Sequence, residues 1–174
     1  MELLRRLFTG LKLRINEAKS AVDRVSRRKV LGYSFWYAKG SVVKLRVAPK
    51  ALKVMKDRVR LITQRNGGRS IQQVVAELRE YLVGWRIYFQ LADTPKILGE
   101  LDEWIRHRLR ALHLKHWKRG RTIFRELRAR GMSVEASARV AGNGRRWWKN
   151  SDKMIHLALP NQYFDRLQFP RLKV

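Results

Sequence analysis

Three apolar stripes at helical spacing run through the middle of this 174-residue sequence, and they restrict its fold more than any other feature. Leu52, Met55, Val59 and Ile62 recur at intervals of three, four and three residues, which puts them on one face of a helix. Ile71, Val74, Leu78, Leu82, Trp85 and Phe89 form a second, longer stripe. Leu98, Leu101, Ile105, Leu109 and Leu112 form a third. Boundary signals separate the stripes. Pro49 marks the start of helical period, and Asn66-Gly67-Gly68 closes the first helix. Ser70 followed by Gln73 is a capping box. Thr94-Pro95 pairs an N-cap with a first-turn proline. Three amphipathic helices with short connections predict an antiparallel bundle, with the stripes as its core.

The flanks follow other patterns. Met1–Thr9 predicts a helix end closed by Gly10. Leu11, Leu13 and Ile15 alternate with Lys12 and Arg14, the period of a strand. Val30–Tyr37 is rich in aromatic residues, Lys39-Gly40 can turn, and Val43, Leu45 and Val47 alternate with Lys44 and Arg46, so a β-hairpin is predicted. After the bundle, Thr122–Arg130 and Ser133–Ala141 predict two shorter helices with Gly131 and Gly142 as C-caps. Residues 145–174 read as irregular, broken by Pro160 and Pro170. The expected class is α+β, mainly α. It divides into a sheet-containing segment 1–48, a helical segment 49–120, and a segment 121–174 of short helices and irregular basic chain.

Charge bounds the partner. Forty Lys+Arg against 14 Asp+Glu give a formal net charge of +26. Such an excess repels itself in a compact state unless a polyanion offsets it, and nucleic acid is the natural polyanion. With 45% hydrophobic residues and 6 Trp, the chain is not a disordered basic tail. The charge is also uneven. The first bundle helix carries Lys50, Lys53, Lys56, Arg58, Arg60 and Arg65, with Arg69 just beyond; the third carries Arg106, Arg108, Arg110 and Lys115 and runs on to Lys118, Arg119 and Arg121. The second has Glu77 and Glu80 beside Arg79. One side of the bundle is therefore expected to be basic, and arginine's planar fork suits phosphate. In Arg145-Arg146-Trp147-Trp148-Lys149, rings stand among cations. They can stack on unpaired bases or anchor the segment on the bundle, and the pattern leaves both readings open.

Familiar catalytic patterns do not emerge. There is no cysteine, hence no disulfide or thiolate metal site. Asp102 and Glu103 are adjacent and diverge on a helix. His113 and His116 stand one turn apart, but Arg110 and Lys115 would repel a cation, so no metal site is expected. Neither Gly67-Gly68 nor Gly142-Asn143-Gly144 precedes the Lys-Ser/Thr of a phosphate loop. The closely spaced aspartates of a two-metal polymerase are missing from the sequence. No apolar run reaches the roughly 18 residues that span a bilayer, so a cytoplasmic location without membrane contact is expected.

Several motifs, in order, resemble the C-terminal half of bacterial group II intron reverse transcriptase/maturases. Leu11-Lys12-Leu13-Arg14-Ile15-Asn16-Glu17-Ala18-Lys19-Ser20 resembles the end of the palm, and Val30-Leu31-Gly32-Tyr33-Ser34-Phe35 the hairpin called the primer grip. Gly67-Gly68-Arg69-Ser70, Gly84-Trp85-Arg86-Ile87-Tyr88-Phe89, Leu101-Asp102-Glu103-Trp104-Ile105-Arg106 and Trp117-Lys118-Arg119 resemble the thumb, often called domain X. Ala158-Leu159-Pro160-Asn161-Gln162-Tyr163-Phe164-Asp165 resembles the family's C-terminal tail. Gly120 departs from the proline, and Val83 from the polar or basic residue, that the family leads one to expect. These residues hold no Cys-containing endonuclease motif, as expected of members that lack that domain.

The resemblance implies several roles. Lys19 would match a palm lysine that assists phosphoryl transfer, though an ordinary solvated lysine is favoured without the aspartates. Leu31, Gly32 and Tyr33 would lie near a primer end, and Gly32 would equally serve a close approach. Trp85, Tyr88 and Phe89 are read as core. The basic helix faces, with Arg145, Arg146, Trp147 and Trp148, would hold intron RNA or a template–primer duplex. Without the fingers and the aspartates, the chain is expected to bind RNA and assist splicing while catalysing nothing alone. It would need no cofactor of its own, although a complete polymerase would use Mg2+. The alternatives are the C-terminal part of a split RNA-directed DNA polymerase, completed by a separate fingers–palm chain, and a general RNA chaperone.

Overall fold

The computed structural model describes residues 2–16, 23–64 and 67–173. Lys19 and Arg65 lie outside the described residues. A helix α1 (Glu2–Gly10) comes first, then three strands, β1 (Lys29–Val30), β2 (Tyr33–Tyr37) and β3 (Val43–Val47). The bundle helices are α2 (Pro49–Ile62), α3 (Ile71–Tyr88) and α4 (Pro95–Trp117). They are followed by α5 (Gly120–Ala129), α6 (Val134–Gly142), α7 (Trp147–Asn150) and α8 (Asn161–Arg166). The fold is mainly α with one small antiparallel sheet, as expected.

The bundle forms where its local signals say it should. Pro49 and Pro95 each occupy the first turn of a helix, where a missing N–H costs nothing. Ser70 Oγ accepts from the Gln73 amide at 3.2 Å, and Gln73 Oε1 accepts from the Ser70 amide at 2.8 Å, completing the capping box. Thr94 sits at the N-cap of α4, but its hydroxyl makes no cap bond. Every residue of the three stripes is buried except Leu52, which is half-buried against the same core. That core is one continuous cluster running from Val47 to Leu172.

The sheet has the order β1-β2-β3, with Tyr33 opposite Val47 and Phe35 opposite Leu45. Val30–Tyr37 is not one strand. Leu31 and Gly32 have φ of 49° and 79° and turn the chain between β1 and β2. Two successive left-handed residues are what a tight two-residue hairpin requires. This turn docks on the end of α3. A Cβ on Gly32 would sit 3.1 Å from Phe89 Cζ. The Tyr33 hydroxyl donates to the Tyr88 carbonyl at 2.5 Å, and the Tyr88 hydroxyl donates to the Leu31 carbonyl at 2.9 Å. Tyr88 is thus a latch on the surface, 55% exposed, and not the core residue expected; its hydroxyl finds its partner at the hairpin tip. The outer edge of β3 is partly covered, since the Asp93 amide donates to the Leu45 carbonyl at 2.9 Å.

The structure departs from expectation elsewhere as well. Leu11, Leu13 and Ile15 form no strand, because alternation alone gives no ladder without a neighbouring strand to pair with. Gly142 ends α6 inside the helix, and Asn143 is the C-cap. Gly120 is the first residue of α5, and a Cβ there would lie 3.0 Å from the Ala141 carbonyl oxygen. That close approach crowds any side chain at this position, the expected proline included. The largest correction concerns residues 145–173. They hold α7 and α8, and they bury Ile155, Leu159, Phe164, Phe169 and Leu172 in the main core. The breaks at Pro160 and Pro170 interrupt a packed segment, not a loose one.

Candidate nucleic-acid interface

Helix α4 organises the surface because it has three different sides. At about 100° per residue, Leu98, Leu101, Ile105, Leu109 and Leu112 share the side facing the bundle core. Asp102, Arg106, Arg110 and His113 follow one another at intervals of four, four and three, and make a second stripe. Trp104, His107, Arg108, Ala111 and Lys115 make a third, with Lys118 just past the helix end.

The second stripe is buried, although it is ionic. Asp102, Arg106, Arg110 and His113 are 7%, 4%, 2% and 6% exposed. Their partners come from the C-terminal segment. The Asp102 carboxylate accepts from the Leu172 amide at 3.0 Å and from the Lys173 amide at 3.1 Å. Arg106 lies 3.5 Å from Asp102 and 3.7 Å from Asp165, over the Phe169 ring. Arg110 donates to the Leu159 carbonyl and to Asn161 Oδ1, each at 2.9 Å, over the Phe164 ring. From α3, Arg86 donates to the Leu172 carbonyl at 2.9 Å and Arg79 to the Leu167 carbonyl at 3.2 Å. Arg106 and Arg110, both expected to contact RNA, instead tie this strap to the bundle. A guanidinium taken out of water needs several acceptors in fixed positions, and irregular backbone supplies them.

Burial and the neighbouring Arg106 lower the Arg110 pKa to about 10, which leaves it charged at neutral pH. His113 lies between the Trp117, Tyr163 and Phe164 rings. Burial, and then Arg130 and His116, push its pKa down to about 3, so it is neutral. Among the described residues, no group of three or more His, Asp or Glu side chains is placed to hold a metal ion.

The third stripe is basic and reaches the surface, with Lys115 exposed, Trp104, His107 and Arg108 half-buried and Ala111 buried. At one end the Trp104 ring has Lys56 at 5.9 Å, Arg60 at 5.6 Å and Arg108 at 5.5 Å from its centroid. Lys56 and Arg60 reach it from α2, while Arg108 also donates to the Thr63 hydroxyl at 2.7 Å. Three cations around one indole gain from the ring quadrupole and repel one another. In the middle, His107 stacks on Trp148 with centroids 3.9 Å apart, and His107 Nε2 lies 3.0 Å from the Trp148 carbonyl oxygen. At the other end, Leu114, Lys115, Lys118, Gly144, Arg145 and Trp147 line a cleft of about 240 Å³. Lys115 stands three turns past Trp104, about 16 Å along the axis.

The remaining expected contacts fall into groups. Lys53, Arg58, Arg119, Arg121 and Arg146 are exposed. Arg58 lies 3.5 Å from Glu77, and Arg69 pairs with Glu77 and donates to the Ile62 carbonyl, so Arg69 mainly closes the α2–α3 connection. Trp147 is half-buried against the core and also lines the cleft, whereas Trp148 is 37% exposed and stacks on His107, so both rings help to anchor the segment and neither is fully buried. Leu31 stands 76% exposed at the hairpin tip, while Gly32 and Tyr33 are held against α3. Trp104 was missed as a site residue. Its signal was present, since it lies four residues before Arg108 and eleven before Lys115 on a single helix face.

These features define a helical bundle with an arginine-held C-terminal strap and one outward basic–aromatic ridge, the class of surface used on nucleic acid. Residues 52–131 match the family model for the group II intron, maturase-specific domain, which covers α2 to α5. This segment is therefore similar to a maturase-specific domain. This supports a group II intron maturase role in splicing and implies intron RNA binding in general. The strap lies beyond the matched residues. No curated protein matches the chain. Among the described residues, no helix is long and apolar enough to cross a membrane.

Proposed function

We propose that the chain grips structured intron RNA along the outward ridge of α4 and thereby steadies the fold that splices, with no catalytic step of its own. The observation that carries this reading is the alignment of Trp104, Arg108 and Lys115 on one helix side, flanked by Lys56 and Arg60 from α2 and by Lys118 and Arg145 beyond the helix end. A rigid row of cations meets the regular phosphates of an A-form helix, which is recognised by shape and backbone and not by sequence. Mg2+ would then belong to the RNA or to a complete polymerase, and not to this chain.

The row contains Lys56, Arg60, Arg108, Lys115, Lys118, Arg119, Arg121 and Arg145. If each engages one phosphate, log K falls against log salt with a slope of about −6 to −7. Filter binding to a group II intron RNA across a salt series measures it, and a flat response removes the reading.

A second reading is favoured by α1. No residue of α1 is buried, and Leu3, Leu4 and Leu7 are 72%, 42% and 57% exposed. Such a face suits a protein partner, as in a polymerase completed by a separate fingers–palm chain. Primer extension with and without that chain tests it; no synthesis by the mixture counts against it.

A further inference from the structure

We infer that the cleft between the end of α4 and the α6–α7 connection receives a single unpaired nucleotide of the bound RNA, with the base against Trp147 and the phosphates on Lys115, Lys118 and Arg145. The inference rests on the RNA-binding reading above and adds the form of RNA that this part of the ridge selects.

Three observations converge. First, the size suits one flat group. At about 240 Å³, the cleft is below the roughly 300–1,000 Å³ that holds a drug-sized ligand. A duplex lies across such an opening without entering it, whereas one extruded base enters. Second, the lining combines apolar and aromatic groups, Leu114 and Trp147, with the cations Lys115, Lys118 and Arg145. Lys115, Lys118 and Arg145 form no ion pair among the described residues, so their charge is left for a ligand. Base plus phosphate is the ligand that matches both sides at once.

Third, the backbone is strained where it presents the cations. Lys118 has φ 52° and ψ −62°, and the Arg119 amide donates to the Trp117 carbonyl at 2.6 Å. This is close to a γ-turn of the rare kind, which a side chain other than glycine adopts at a cost. Strain of this sort persists only where surrounding packing fixes it, and it collects at binding sites. Here α4 stops abruptly, and Lys118 is turned into the cleft mouth beside Lys115.

The test uses two RNA hairpins of equal length, one carrying a single bulged 2-aminopurine and the other fully paired. The full chain should bind the bulged hairpin about tenfold more tightly, which is within the range of one base–aromatic stack. The 2-aminopurine emission should fall as the base stacks. Lys118→Ala and Arg145→Ala, at exposed positions, should each lower the ratio between the two hairpins. Trp147→Leu should abolish the emission change, and Trp147→Phe should retain part of it. Equal affinity for both hairpins, or variants that weaken both alike with the ratio intact, overturns the inference and leaves the ridge as a phosphate surface only. Failure to bind either hairpin overturns the ridge reading as well.

Discussion

Gly32 meets two independent constraints, a φ of 79° and the Phe89 ring lying 3.1 Å from where a Cβ would stand. Either alone disfavours a side chain; together they make the hairpin tip depend on one residue. Gly32→Ala should cost about 1–3 kcal/mol, the range of a strained left-handed residue, and should release Tyr33 from Tyr88. Thermal melting and the near-ultraviolet signal of the tyrosines would measure both effects. His113 illustrates the opposite dependence, on protonation. In the unfolded chain it titrates near 6.5, while in the folded chain its pKa is lowered to about 3. Its folded pKa is depressed, so the unfolded state binds more protons between those values. Its contribution is fully present above about pH 6.5 and is lost as pH falls toward 3, with a slope approaching about 1.4 kcal/mol per pH unit. Denaturant unfolding of the wild type and of His113→Phe at pH 7 and pH 5 should show the wild type losing more stability; parallel losses would reject this.

At the scale of elements, the helices were legible because the apolar period, the Ser70–Gln73 capping box and the first-turn residues Pro49 and Pro95 point the same way. The same letters misled where azimuth mattered. Arg106, Arg108 and Arg110 read as one basic run, yet they alternate between two sides of α4. Only Arg108 faces outward, because a two-residue step turns the helix through about 200°. The row Asp102, Arg106, Arg110 and His113 carried the clue, a second periodic stripe opposed to solvent. What it packs against could not be read, because residues 159–173 lack a period of their own and acquire their shape from the arginines that bind them. The strap is accordingly essential to the bundle. A chain ended at Gly131, the limit of the family match, should lose cooperative unfolding in urea. It would strip the strap acceptors from Arg79, Arg86 and Arg110 and open to water the apolar surface that Ile155, Leu159, Phe164, Phe169 and Leu172 cover, at a cost of about 1.5–3 kcal/mol for each large side chain exposed. A truncated chain with a single sharp transition would show the strap to be dispensable.

For the molecule as a whole, charge is the dominant stress. A net +26 on 174 residues is carried mostly outside, since few cations besides the strap-binding arginines are buried. Self-repulsion then opposes compactness until salt or a polyanion screens it. The melting temperature should rise with sodium chloride between about 50 and 500 mM, and rise further with structured RNA at low salt, as ligand linkage requires. Calorimetry across that series checks it; a melting temperature that falls with salt would mean that native ion pairs outweigh the repulsion.

The strap also fixes a sequence of events at the ribosome. Helices α3 and α4 emerge with their buried-side arginines in place, but the carbonyls of Leu159, Leu167 and Leu172 that complete them arrive only later in synthesis. Until then those guanidiniums face water, and the side of α4 that the strap will cover stays open. Arrival of the last segment then turns the arginines into internal ties, so the outward side of α4 is the basic face that persists once the chain is complete.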